Sequence, residues 1–347
     1  MRLPFAPACL PLLLGGLPHR GAAQALDLSR RYAGALLAWP QLPQRGFHEQ
    51  SFVQSALGFP GLVVDPARAR VFVDRASAER EIDRLALAYL EHDIAYAALD
   101  SDDAAGLDEL FRQRDSLRGI MALKGQLLGP ISLAAQLTDE RQRPLIYDAM
   151  FFEALAQHLR LRAAWQEARL SDLVSVTIVC LEEPFLETVG LPFLPLDWGR
   201  ARAQIDETFS GMRGCKAIFA GGAVQWSEVL ETTVDMIIAD VHDYGPALVA
   251  AGAALPPFLE RGGVVGLGLV PADEELLGCT TAQMLLDRAE TLLRELEQAG
   301  VGADLLLRQS VVSTAGSLSR VPIAAAERAL QLVSEVSKLL RERYKLA

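Results

Sequence analysis

Residues 173–186, LVSVTIVCLEEPFL, pass from β-branched and apolar side chains into two glutamates and a proline. Val174, Val176, Ile178 and Val179 favour a strand buried on both faces, and Glu182-Glu183-Pro184 ends it abruptly. Such a strand carries two carboxylates at its C-terminal end. In a barrel of parallel strands, that end is where side chains meet a ligand. Successive strand residues point in opposite directions, so one of Glu182 and Glu183 is expected to face the mouth and the other the surrounding helices.

Downstream the pattern is regular. Helix 200–211 leads to strand 215–219, helix 226–231 to strand 235–239, helix 245–260 to strand 263–267 and helix 280–299 to strand 305–311, and helix 321–343 closes the chain. Upstream, Leu10 to Gly15 reads as a strand and 22–37 as a helix of period 3.6. The loop WPQLPQRGF at 39–47 is proline-punctuated and feeds a short helix over 48–57. Residues 61–74 alternate around Asp65-Pro66 and predict a β-hairpin, an excursion from the barrel. Ser77 is placed as the N-cap of a helix to Glu91, followed by a strand over 94–99, a helix over 104–114 and a strand over 119–124. Strand starts at Leu10, Ile94, Gly119, Val174, Cys215, Asp235, Gly263 and Leu305 number eight. Eight strands alternating with helices predict a single α/β domain over 1–347, a TIM (β/α)8 barrel with the hairpin as an insertion.

Half of the 347 residues are hydrophobic, enough for a large core, and the net charge is −11. Without a concentrated basic patch the chain is not expected to bind nucleic acid. Cys9, Cys180, Cys215 and Cys279 are scattered with no CxxC, which suggests neither a disulfide framework nor a zinc knuckle, and reduced thiols in the cytoplasm are expected. The start, an apolar run to Leu17 followed by Ala23-Gln24-Ala25, imitates a secretory signal. Pro4, Pro7 and Pro11 interrupt that run, and a helix pattern continues directly, so a folded strand is the expectation. No apolar run approaches the roughly 20 residues of a membrane span.

Strand ends in a barrel share one mouth, so candidates follow from position: His19, Gln126, Glu182 and Glu183, then Asp240, His242 and Asp243, then 313–317. Neighbouring carboxylates in a desolvated mouth can separate into an acid and a base. The structural alternative is a cap on a neighbouring helix or an ion pair with an arginine, and for His19 a bond to backbone. Asp240-Val241-His242-Asp243 suits proton transfer, while its spacing is no defined metal set. Gly221-Gly222 reads as a tight turn, lacking both GxGxxG spacing and a P-loop lysine. The turn 315–317 opens a helix and could receive an anion.

Taken together, LLGGLPH at 13–19, WPQLPQRGFHEQSFVQ at 39–54, LKGQLLGPISLAAQLTD at 123–139, CLEEPFL at 180–186, WSEVL at 226–230 and QSVVSTAGSLS at 309–319 resemble one superfamily. It contains the cobalamin-independent methionine synthase C-terminal barrel and uroporphyrinogen decarboxylase, and the chain looks like a short, single-barrel methionine-synthase-like protein. The resemblance implies methyltransferase chemistry in methionine biosynthesis, with a zinc ion activating a thiol. It matches Leu181-Glu182-Glu183-Pro184 to the family's IDEP motif, with Glu182 at the position that contacts the substrate amino group. It places Gln54 near the family's other amino-group-binding carboxylate and Gly15-Gly16 at its Gly-Ser after the first strand. Together with the positions at the mouth, substrate-binding roles are expected for Gly15, Gly16, Gln54, Glu183, Gln126 and Trp226, and catalytic roles for Glu182, His19, His242 and Asp240. It also implies departures. Where the family carries a zinc-binding His and Cys, this chain has Phe219-Ala220-Gly221-Gly222, and the last zinc cysteine falls at Ala315; Asp240 alone matches a glutamate ligand. The expectation is a zinc site that has been lost, no metal, and no confidently implied cofactor.

Two functional readings follow. In the first, the barrel keeps a pocket for a small amino-acid-like or cofactor substrate without zinc-activated thiol chemistry. In the second, it is a non-catalytic binder of a ligand, a corrinoid or methyl-carrier protein, or another partner. A uroporphyrinogen decarboxylase-like enzyme is a further alternative, although that branch's arginine-rich N-terminal motif is missing.

Overall fold

The computed structural model describes residues 3–192, 194 and 196–346. Strands β1 (Leu10–Pro11), β2 (Leu36–Ala38), β5 (Ala122–Leu128), β6 (Thr177–Glu182), β7 (Cys215–Ala220), β8 (Met236–Asp240), β9 (Val264–Val270) and β10 (Ser310–Thr314) form one parallel sheet. Two further strands, β3 (Leu62–Asp65) and β4 (Arg70–Val73), make an antiparallel hairpin. The sheet runs β1-β10-β9-β8-β7-β6-β5-β2, and a parallel bridge between Leu12 and Leu36 brings its two ends together. The chain therefore folds as a nearly closed (β/α)8 barrel, and β6, which ends in Glu182, is its fourth strand.

Alternation along the strands builds the interior. Leu12, Leu36, Ala122, Ile178, Cys180, Cys215, Ala217, Met236, Ile238, Val264 and Val311 pack together inside the barrel, while the outward residues join a larger core under the helices. Each fully buried aliphatic side chain contributes about 1.5–3 kcal/mol of transfer free energy. Gly266 and Gly268 on β9 leave room for neighbours: a Cβ at 266 would meet the Ile238 side chain at 2.7 Å, and one at 268 the Ala239 carbonyl oxygen at 2.6 Å. Cys9, Cys180 and Cys215 are buried free thiols, and burial pushes Cys9 and Cys180 up to about 12.

The eight-strand count is right, but one member is a different segment and the last begins later. The expected helix 22–37 stops at Ala33, and Leu36–Ala38 is the second barrel strand, paired with Ala122–Lys124. Segment Ile94–Ala97, expected as that strand, is a 3-10 turn whose Ala95 amide donates to the Asp93 carboxylate at 3.1 Å. Leu305 belongs to helix Ala303–Arg308, and the last strand begins at Ser310. Asp74, not Ser77, caps helix Arg75–Glu91: its carboxylate accepts from the Ser77 amide at 2.9 Å. The hairpin forms as expected and docks through the Val73 amide on the Thr138 carbonyl at 2.9 Å. The apolar start supplies β1, with Leu12 donating to the Val312 carbonyl at 2.8 Å; Met1 and Arg2 lie outside the described residues. Among the described residues no helix is long and apolar enough to cross a membrane.

Candidate functional site

A cavity of about 570 Å³ opens at the C-terminal ends of the strands. Its walls come from the exits of β1 (Gly16), β2 (Gln41, Pro43, Gln44), β5 (Leu128), β6 (Glu182, Pro184, Phe185) and β10 (Ser317, Ser319, Arg320), and from the segment that begins helix Ser51–Ala56 (Gln50, Ser51, Phe52). Gln136 closes it at the end of the helix after β5. Amides and hydroxyls dominate, two phenyl rings flank them, and the described lining carries one acid, Glu182, and one base, Arg320.

The two glutamates of β6 separate as the pleat requires. Glu182 continues the inward row of Ile178 and Cys180 and reaches the cavity, partly exposed. Burial pushes its carboxyl up to about 7; the Lys124 ammonium and the Ser51 hydroxyl pull the other way. Glu183 turns outward and is fully buried. Its carboxylate accepts from the Ile131 amide at 3.0 Å, the Ser132 amide at 2.8 Å and the Ser132 hydroxyl at 2.5 Å, capping the helix Pro130–Gln136. Burial raises this carboxyl to about 7 as well, against those three donors. Gly129 is glycine because a Cβ there would lie 2.1 Å from a Glu183 oxygen.

Beneath the cavity lies a lysine that sequence reasoning overlooked. Lys124 on β5 is completely buried; its ammonium donates to the Leu14 carbonyl at 2.7 Å and to Gln126 Oε1 at 3.1 Å. Burial lowers its pKa, while Cys180 and Glu182 act in the opposite direction. The signal was available: a lysine two residues before Gln126 in an otherwise apolar strand falls on the same inward row. Gln126 is locked between Lys124 and the Trp39 carbonyl, to which its amide donates at 2.9 Å. Its side chain occupies the space over Gly15, whose φ is +115° and whose added Cβ would fall 2.5 Å from Gln126 Cδ. Gly16 has no such backbone demand, yet a Cβ there would meet the Ser317 hydroxyl at 2.3 Å.

Several expected site residues are committed elsewhere. Gln54 accepts from the Gln41 amide at 2.7 Å and donates to the Asp103 carbonyl at 2.6 Å, behind the cavity wall. Trp226 packs in the core under the helices. His19 is fully buried near the C-terminal helix, 3.7 Å from Glu327, with both ring nitrogens lacking a hydrogen-bond partner. His242 Nδ1 lies 3.0 Å from the Leu269 carbonyl oxygen. Asp240 caps the helix Val241–Ala250, accepting from the Asp243 amide at 3.0 Å, and burial raises its pKa. None of these five lines the cavity, whereas Glu182 and Gly16 do.

The positions at which the resemblance implies zinc ligands provide Phe219-Ala220-Gly221-Gly222 at the end of β7, Ala315 after β10, and the capping carboxylate of Asp240. Among the described residues no three His, Cys, Asp or Glu side chains converge as a metal set. These residues do not fit a zinc ion held by imidazole and thiolates.

The fold is shared with solved methyltransferase barrels. The chain is similar to a B12-independent methionine synthase from Shewanella sp. W3-18-1 in complex with selenomethionine, with a TM-score of 0.57 and 15% identity over 96% of this chain and 98% of that one. It is also similar to a methyltransferase from Methanosarcina mazei, with a TM-score of 0.55 and 11% identity over 93% of this chain and 85% of the other. No family model and no curated protein sequence matches the chain. At these identities the likeness is one of fold, and a chemical reading has to come from the site.

Proposed function

We propose that the protein is a methionine-synthase-like barrel of the methyltransferase superfamily that binds a small, amine-bearing molecule at the mouth, with Glu182 as its anchor and without zinc-activated thiol chemistry. The observation that carries this reading is Glu182 itself, the one acid on the described lining, set in a cavity large enough for a small organic molecule. A carboxyl titrating near 7 is suited to two tasks. Ionised, it pairs with an ammonium; at neutral pH it also exchanges a proton with a bound group without a large energetic penalty in either direction. The surrounding glutamines and serines orient the ligand by hydrogen bonds, and Phe52 and Phe185 shield it from water. The likeness to the two methyltransferase barrels supports the superfamily part of the reading.

The test is a thermal-shift screen of amines, amino acids, folates, porphyrins and corrinoids on the wild type and on Glu182→Gln. An amine-bearing compound that stabilises the wild type and loses its effect in the variant supports the reading. Stabilisation that is unaltered by Glu182→Gln would remove Glu182 from the site. Because His19, His242 and Asp240 all lie off the cavity, a ligand bound without turnover would favour the non-catalytic binder.

A further inference from the structure

The cavity's two charges come from the exits of different strands, Glu182 from β6 and Arg320 from the loop after β10. Counting around the closed ring from β6, β10 is four strands away in either direction, so the exits carrying Glu182 and Arg320 are diametrically opposed. Eight strands about 4.8 Å apart and tilted about 36° close into a ring about 15 Å across at the backbone.

Arg320 is free to bind. It is exposed at the rim and makes no hydrogen bond or ion pair among the described residues. Ser317 and Ser319 of the same loop stand beside it on the lining, their hydroxyls 3.1 Å apart. The loop is held in place from the β2 exit, where Gln44 donates to the Ser319 carbonyl at 3.3 Å. Ser317 donates to Ser319, which leaves the Ser319 hydroxyl and the guanidinium as donors for a carboxylate or a similar oxyanion.

We infer that Arg320, Ser317 and Ser319 form an anion subsite across the cavity from Glu182, which selects an elongated ligand carrying its ammonium and its anionic group at opposite ends. An α-amino acid, with both charges on one carbon, reaches one wall at a time. This inference rests on the proposed role of Glu182 and extends it to the substrate class.

The test uses calorimetric titration of the full chain with 5-aminopentanoate, its isomer norvaline and the matched amine n-pentylamine, on the wild type, Arg320→Ala, Arg320→Lys and Glu182→Gln. For the wild type, 5-aminopentanoate should bind about tenfold or more tighter than either comparison compound, as expected for one charge-assisted contact. Arg320→Ala should erase that advantage and leave pentylamine affinity unchanged, with Arg320→Lys intermediate. Equal binding of the two isomers, no binding of 5-aminopentanoate, or an advantage that survives in Arg320→Ala overturns the subsite. If amine binding is lost in Glu182→Gln while Arg320→Ala changes nothing, only the subsite fails; if Glu182→Gln changes nothing, the underlying reading fails with it.

Discussion

At the scale of single residues, the β6 carboxylates show how one pleat assigns two tasks. Both glutamates were legible in the sequence, and so was the rule that they must diverge, but which faces which depends on the register with β5. Leu128 pairs with Glu182, and that fixes Glu182 on the cavity side. The acidity of Glu182 yields a stability prediction. Its folded value near 7 exceeds the ordinary value of 4.5, so the native state holds the proton between pH 4.5 and 7 and wild-type stability falls as pH rises through that window. Glu182→Gln cannot ionise, and it should be about 1–3 kcal/mol more stable than wild type at pH 8, with the advantage vanishing by about pH 4. Chemical denaturation across that range measures it; a constant difference would show that Glu182 is not the titrating group. Gly15→Ala should cost more than about 2 kcal/mol in the same assay, because φ of +115° and the Gln126 side chain both oppose a Cβ.

At the scale of elements, the sequence pattern was most reliable where an element was long. The parallel strands from β6 to β9 and the hairpin were readable from β-branched runs and turn residues. The second barrel strand was not, because three residues follow a helix whose apolar period runs on through Ala35, Leu36 and Leu37. Gly34, the helix C-cap, was the signal: a Cβ there would sit 2.5 Å from the Arg30 carbonyl oxygen. The segment mistaken for that strand, Ile94–Ala97, is apolar enough to pass as one, and only the capping Asp93 separates the two outcomes. The count of eight survived because one omission offset one addition. The cap on helix Pro130–Gln136 is a separate prediction. Glu183→Ala removes three acceptor contacts from buried donors and should destabilise the fold by about 2 kcal/mol or more, seen as a lower denaturation midpoint. Glu183→Ala should affect ligand binding far less than Glu182→Gln does.

At the scale of the whole molecule, the barrel brings to one mouth side chains that sequence order keeps apart by more than a hundred residues. Ser51, Glu182 and Arg320 line one cavity only because eight strands close on themselves. That is why Arg320 and Lys124 were not singled out: Arg320 follows the last quoted stretch, Lys124 sits inside the stretch 123–139 as one residue among many, and the importance of each lies in what stands opposite or above it. The same closure carries His19, His242 and Asp240 past the cavity into packing and capping contacts. With no converging set of ligands among the described residues, purified protein is expected to carry well under one zinc per chain and to keep its melting temperature in a chelator. Elemental analysis with a melting curve checks this, and stoichiometric zinc lost together with stability would contradict it. The most direct test of the central claim is the affinity for 5-aminopentanoate at pH 6 and pH 8, measured by calorimetry on wild type and Glu182→Gln. With a carboxyl titrating near 7, wild-type affinity should rise about tenfold over that interval and the variant should show weak, pH-independent binding; equal, pH-independent affinity in both proteins would contradict the account.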